Sequence, residues 1–119
     1  MPKNGATTVW EAWEGTATKN DGIASLNHYS KGAVCCWLFD TMCGIRVAGA
    51  NRFAITPRPG GHFLFARACY NSIYGKVESG WKRAEGGIQY TITIPANCTA
   101  TLVVPGKATV ELEAGTYTI

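Results

Sequence analysis

Charge is what this sequence has least of. Only 16% of its 119 residues are Asp, Glu, Lys or Arg, against about a quarter in an average soluble domain. A chain of this size buries roughly two-thirds of its unfolded surface, so one domain with a real core is expected. Low charge then points to compact β-rich packing or to apolar surface that something else covers. The charge present has no pattern. The net charge is +3, and of the basic residues only Lys82 and Arg83 adjoin, so the patch or stripe that nucleic-acid binding requires is missing. No apolar run is long enough to span a bilayer, and the opening Met1-Pro2-Lys3-Asn4-Gly5 lacks a secretory leader pattern. The expectations are no nucleic acid, no membrane and a cytoplasmic location. C-x-x-C pairs are absent, the five cysteines are an odd number, and the two histidines complete no zinc spacing. No metal and no cofactor are therefore expected, and the cysteines are expected to be reduced and buried as small hydrophobes.

What is present changes character near residue 45. In the stretch TTVWEAWEG (7–15), Thr8 and Glu11 fit a capping box at a helix start, and Gly15 would end that helix quickly. A polar turn, TKNDG, covers 18–22. The segment SLNHYSKGAVCCWLFDTMCGI (25–45) has helical periodicity but is apolar nearly all round, and Gly44 suits its C-cap. Such a helix needs other elements on several sides. From residue 46 the chain reads as strands: FAITP (53–57), FLFARACY (63–70), YGKVESGWKRAE (74–85), GIQYTITIP (87–95), ATLVVP (100–105) and TVELEAGTYTI (109–119). Gly- and Pro-rich turns divide them, and Tyr90, Ile92 and Ile94 alternate with Thr91 and Thr93. The expected fold is α+β, a short N-terminal helical hairpin (1–45) followed by an antiparallel β-sandwich (46–119).

The blocks TTVWEAWEG, SLNHYSKGAVCCWLF, ITPRPGG, ARACYNSIYGKVESGWKR, TITIPANCTATLVVP and LEAGTYTI, in this order and spacing, resemble the C-terminal end of bacterial α-L-rhamnosidases (glycoside hydrolase family 78). The resemblance covers nearly the whole chain. It implies that 1–45 corresponds to the last helices of an (α/α)6 catalytic barrel and 46–119 to the C-terminal β-sandwich domain. It places Glu11 where the family has its general base, His28 where it has a substrate-contacting histidine, and Trp10 and Trp13 near the sugar pocket. Cys35-Cys36 and Ile73 depart from the family pattern. Most of the barrel, including the region of the general acid, has no counterpart among these residues.

Two readings of the carboxylates follow. Inverting glycosidases use two carboxyl groups roughly 6.5–9.5 Å apart, one to protonate the leaving oxygen and one to activate water. Glu11 could be the second, and no residue matches the first. Alternatively, Glu11 is only a capping-box residue, and His28 is a structural histidine. Trp37 and Trp81 are expected in cores. The function implied by the resemblance is that of an inverting α-L-rhamnosidase acting on terminal α-L-rhamnosides. As a C-terminal piece, the chain would be inactive alone and completed by a second copy or a barrel-bearing partner chain. The alternative is a non-catalytic β-sandwich that binds carbohydrate or braces a partner, with Tyr70, Tyr74 and Trp81 on one strand face.

Overall fold

The computed structural model describes residue 3, residues 5–13 and residues 24–119. The chain forms two compact units, Met1–Cys36 and Trp37–Ile119.

In the first unit, residues 5–13 run as turns and bends, and the helix expected to start at Thr8 is not formed among them. The anticipated stop at Gly15 and the turn at 18–22 lie outside the described residues. The long helix expected over 25–45 is instead a series of short pieces. These are α1 (Tyr29–Gly32), α2 (Val34–Trp37) and a π-helical segment, Leu38–Cys43. Gly44 ends the series in a left-handed conformation with φ 68°. A side chain there would place Cβ 2.2 Å from the Thr56 carbonyl carbon, so only glycine lets the two backbones meet. The all-round apolar pattern produces burial only at the end of the segment, where Met42, Cys43 and Ile45 are buried; Tyr29, Val34, Leu38 and Phe39 are exposed, and Trp37, expected in a core, is 49% exposed.

The second unit holds the π-helical segment and eight strands. Ile45–Gly49 (β1), Arg52–Ile55 (β2), Thr99–Leu102 (β6) and Val110–Leu112 (β7) form one sheet in the order β1-β2-β6-β7. Phe65–Ser72 (β3), Gly75–Ala84 (β4), Gly87–Ile94 (β5) and Gly115–Thr118 (β8) form the other, in the order β3-β4-β5-β8. The α+β class with a sandwich is what the sequence led us to expect. Three details differ. Residues 45–49, for which no strand was expected, form strand β1. The single strand expected over 109–119 is two strands, one in each sheet. And β2 pairs with β6 in parallel, whereas every other pairing is antiparallel.

Asn51 and Asn97 set up the parallel pair. Both adopt positive φ, 48° and 59°, which Asn tolerates better than other non-glycine residues. The Asn51 amide donates to the Asn97 carbonyl at 2.7 Å, and the Thr99 N–H donates to the Asn51 carbonyl at 3.0 Å. The starts of β2 and β6 are thereby held level.

The core lies between the sheets. Phe53, Ile55, Val77, Ile92 and Leu102 are fully buried, each side chain contributing roughly 1.5–3 kcal/mol by leaving water. The predicted alternation in β5 is seen: Tyr90, Ile92 and Ile94 are buried, while Thr91 is exposed. Trp81 is buried as expected, at 3% exposure. It therefore cannot join Tyr70 and Tyr74 on a binding face, although register puts it on the Tyr70 side of the sheet. Two buried donors of β4 secure the end of the π-helical segment. Ser79 Oγ donates to the Cys43 carbonyl at 2.6 Å, and Trp81 Nε1 to the Met42 carbonyl at 2.8 Å. These carbonyls would otherwise be unpaired at a helix end. Only two of the five cysteines meet the expectation of burial: Cys43 and Cys98 are buried, whereas Cys35, Cys36 and Cys69 are exposed. Burial pushes the Cys43 thiol pKa up.

On the outer face of the second sheet, Glu78 accepts from Lys76 at 2.6 Å and from Arg67 at 2.9 Å. These hydrogen bonds hold its carboxyl below the ordinary value of 4.5. A lowered folded-state pKa stabilises the fold above the ordinary value and stops doing so as pH falls through the folded one. Both cations are exposed, so solvent screening keeps the contribution small. Glu78→Gln is expected to lower the urea midpoint modestly at pH 7, with the difference from the parent closing in acid. A difference that persists undiminished at pH 2 would show that the effect is not electrostatic.

Candidate functional site

The first unit is strapped together by residues far apart in sequence. The Glu11 N–H donates to the Ser25 carbonyl, and the His28 N–H to the Val9 carbonyl, both at 2.8 Å. Thr8 Oγ1 donates to the Leu26 carbonyl, and Lys31 Nζ to the Glu11 carbonyl. The Ser25 N–H donates to Glu11 Oε2 at 2.8 Å. The capping box is thus replaced by a different arrangement. Neither Thr8 nor Glu11 turns back on its own segment; both reach the chain around residues 25 and 26.

This strapping orients the Glu11 carboxylate. With Oε2 held by the Ser25 N–H, Oε1 stands 3.9 Å from His28 Nε2. The His28 ring stacks on Tyr29, with centroids 6.0 Å apart and planes within 5°. Its Nδ1 is buried and has no hydrogen-bond partner among the described residues. Buried polar atoms are normally paired, and Nδ1 is an exception among the described residues. Trp10 is half-buried and Trp13 is 70% exposed. The structure therefore brings Glu11 and His28 together.

One fixed carboxylate oxygen and one accessible oxygen beside an imidazole can orient a water and accept its proton. No second carboxylate is available among the described residues of this unit. The described residues also contain no group of three or more His, Cys, Asp or Glu that could hold a metal. Sequence reasoning did not select Ser25, Tyr29 or Lys31. A serine and a lysine six residues apart carry no signal of their own. Among the described residues, no helix is long and apolar enough to cross a membrane.

Comparison with known proteins matches both parts of the chain. The profile of the bacterial alpha-L-rhamnosidase C-terminal domain matches residues 45–118. That of the bacterial alpha-L-rhamnosidase 6 hairpin glycosidase domain matches residues 1–42. The alpha-L-rhamnosidase of Streptomyces avermitilis is 37% identical over 109 residues, covering 85% of this chain and 10% of that protein. One from Formosa agariphila is 34% identical over 108 residues, covering 85% of this chain and 12% of the other. Among solved structures, an alpha-L-rhamnosidase from Dictyoglumus thermophilum superposes with TM-score 0.79 at 27% identity, covering 99% of this chain and 16% of that one. The Streptomyces avermitilis enzyme, complexed with L-rhamnose, superposes with TM-score 0.77 at 29% identity, covering 99% and 14%. The chain thus spans about a tenth of the length of the curated relatives it matches.

Proposed function

Because the chain belongs to the bacterial alpha-L-rhamnosidases, we propose that it supplies the general base and the C-terminal sandwich of an enzyme hydrolysing terminal α-L-rhamnosides. The observation that carries this reading is the Glu11 carboxylate, fixed through Oε2 by the Ser25 N–H and open through Oε1 toward His28 at 3.9 Å. In an inverting mechanism Glu11 takes a proton from the water that attacks the anomeric carbon, on the face opposite the leaving oxygen. His28 contacts a sugar hydroxyl, and Trp10 and Trp13 form pocket wall. Residues 1–45 belong in this reading to a helical barrel, and 46–119 form the domain that follows it. The rest of the barrel supplies the general acid, whether from further chain, a partner chain or a second copy.

The chain alone is expected to show no measurable turnover of an aryl α-L-rhamnoside. A positioned acid or base contributes typically ~10²–10⁴-fold, and the walls that hold the sugar are missing as well. Turnover at the rate of ordinary glycosidases would show that the residues present suffice. A second reading, a carbohydrate-binding module without catalysis, is favoured by a separate feature of the second sheet.

A further inference from the structure

The outer face of the second sheet carries a shallow trough of about 360 Å³. Its floor is Gly80, which register places between Arg67 of β3 and Thr91 of β5. One row along, Phe65, Lys82 and Gln89 are aligned in the same way. A side chain at position 80 would fill the floor, with its Cβ 3.1 Å from the Ala66 carbonyl oxygen and 3.3 Å from Arg67 Cβ. The trough is therefore edged by an aromatic ring, a guanidinium, an ammonium, an amide and a hydroxyl.

The charges around it are unbalanced. Arg67, Lys76 and Lys82 lie on this face, and Glu78 is its sole acid among the described residues. Glu78 is already shared by Lys76 and Arg67. Lys82 has no ion-pair partner closer than 4.0 Å among the described residues, and Arg67 uses one of its N–H groups on Glu78. Phe65 is 70% exposed although it stands in a regular strand. It is held there because Arg83 pins the preceding loop, donating through its backbone N–H to the Leu64 carbonyl at 2.8 Å and through Nε to the Phe63 carbonyl at 3.0 Å.

We propose that this trough binds a carboxylate-bearing sugar unit of a glycan. The ring packs its apolar C–H face on Phe65, the carboxylate lies between Arg67 and Lys82, and Gln89 and Thr91 meet the hydroxyls. An excess of cations with a planar guanidinium suits a carboxylate. An aromatic side chain with convergent polar groups suits a sugar ring, which has both apolar faces and hydroxyls. The choice of a glycan over an acidic peptide rests on the glycoside-hydrolase reading above.

Affinity electrophoresis of the full chain through gels containing polygalacturonate tests the proposal, with dextran and poly-glutamate gels in parallel. Retardation is expected in polygalacturonate and not in dextran. Phe65→Ala and Lys82→Gln should each weaken it about tenfold, as expected for losing an aromatic platform or a charge-assisted hydrogen bond. Lys107→Gln, the same charge change away from the trough, should leave it unchanged. Equal weakening by Lys107→Gln, equal retardation by poly-glutamate, or no retardation by polygalacturonate would each overturn the site. Far-ultraviolet circular dichroism of each variant verifies that the fold is kept. A barrel-completed enzyme that hydrolyses rhamnosides while the chain ignores polygalacturonate would remove this site and leave the hydrolase reading standing. The opposite pair of results would keep the site and remove that reading.

Discussion

Glu11→Gln, placed in an enzyme completed with a six-hairpin domain from a relative, is expected to lower kcat by at least about 10²-fold while leaving rhamnose affinity nearly unchanged. The substitution discriminates because glutamine preserves the strap. Its carbonyl oxygen can still accept from the Ser25 N–H, as Oε2 does at 2.8 Å, so the two segments stay aligned. What is lost is only the capacity to accept a proton from water. Glu11→Ala would confound the two roles, since it removes the base and the strap together. Single-turnover rates and equilibrium rhamnose binding, measured on the same preparation, separate chemistry from positioning. An unchanged rate constant would make Glu11 a purely structural strut between residues 5–13 and 24–33.

The second large effect concerns the core. Trp81→Ala is expected to destabilise the chain by about 3–5 kcal/mol, the range for removing a buried aromatic side chain. Trp81→Phe, which keeps most of the volume, should still cost about 1–3 kcal/mol, because the Met42 carbonyl is left buried without its donor. Ser79→Ala should cost about as much as Trp81→Phe, by orphaning the Cys43 carbonyl. Urea unfolding followed by tryptophan fluorescence and circular dichroism reads all three. A Trp81→Phe variant as stable as the parent would mean that water replaces the indole at the helix end.

The strands were legible where side-chain alternation coincides with burial. Tyr90, Ile92 and Ile94 face the core because a strand buried on one face repeats every two residues. The division of 109–119 was not legible. Val110–Leu112 and Gly115–Thr118 both look like strand, and the change of sheet at Glu113-Ala114 depends on partners contributed by β6 and β5. The N-terminal stretch misled for a related reason. Thr8 and Glu11 have the spacing of a local cap, but their side chains find partners at Leu26 and Ser25, which local spacing does not encode. The exposed Trp37 shows the limit of periodicity, which identifies apolar faces without identifying what covers them. At the candidate site, only the family resemblance pointed to Glu11 and His28. Ser25, which fixes the carboxylate, acts through its backbone N–H, a group every residue but proline has.

The parallel pairing of β2 with β6 has a consequence for the order of assembly. Between these partners the chain must lay down β3, β4 and β5, the hydrogen-bonded body of the other sheet. During synthesis, β1 and β2 can form only a two-stranded hairpin, which is marginal in water, until Thr99–Leu102 emerges to pair with Arg52–Ile55. The β3–β4–β5 meander needs only neighbouring segments and can close early. Nucleation therefore belongs to the meander. The first sheet is added late, across a long loop whose closure entropy slows it. Until then Phe53 and Ile55 stand open to solvent, and in that interval a nascent chain depends most on dilution or on chaperones.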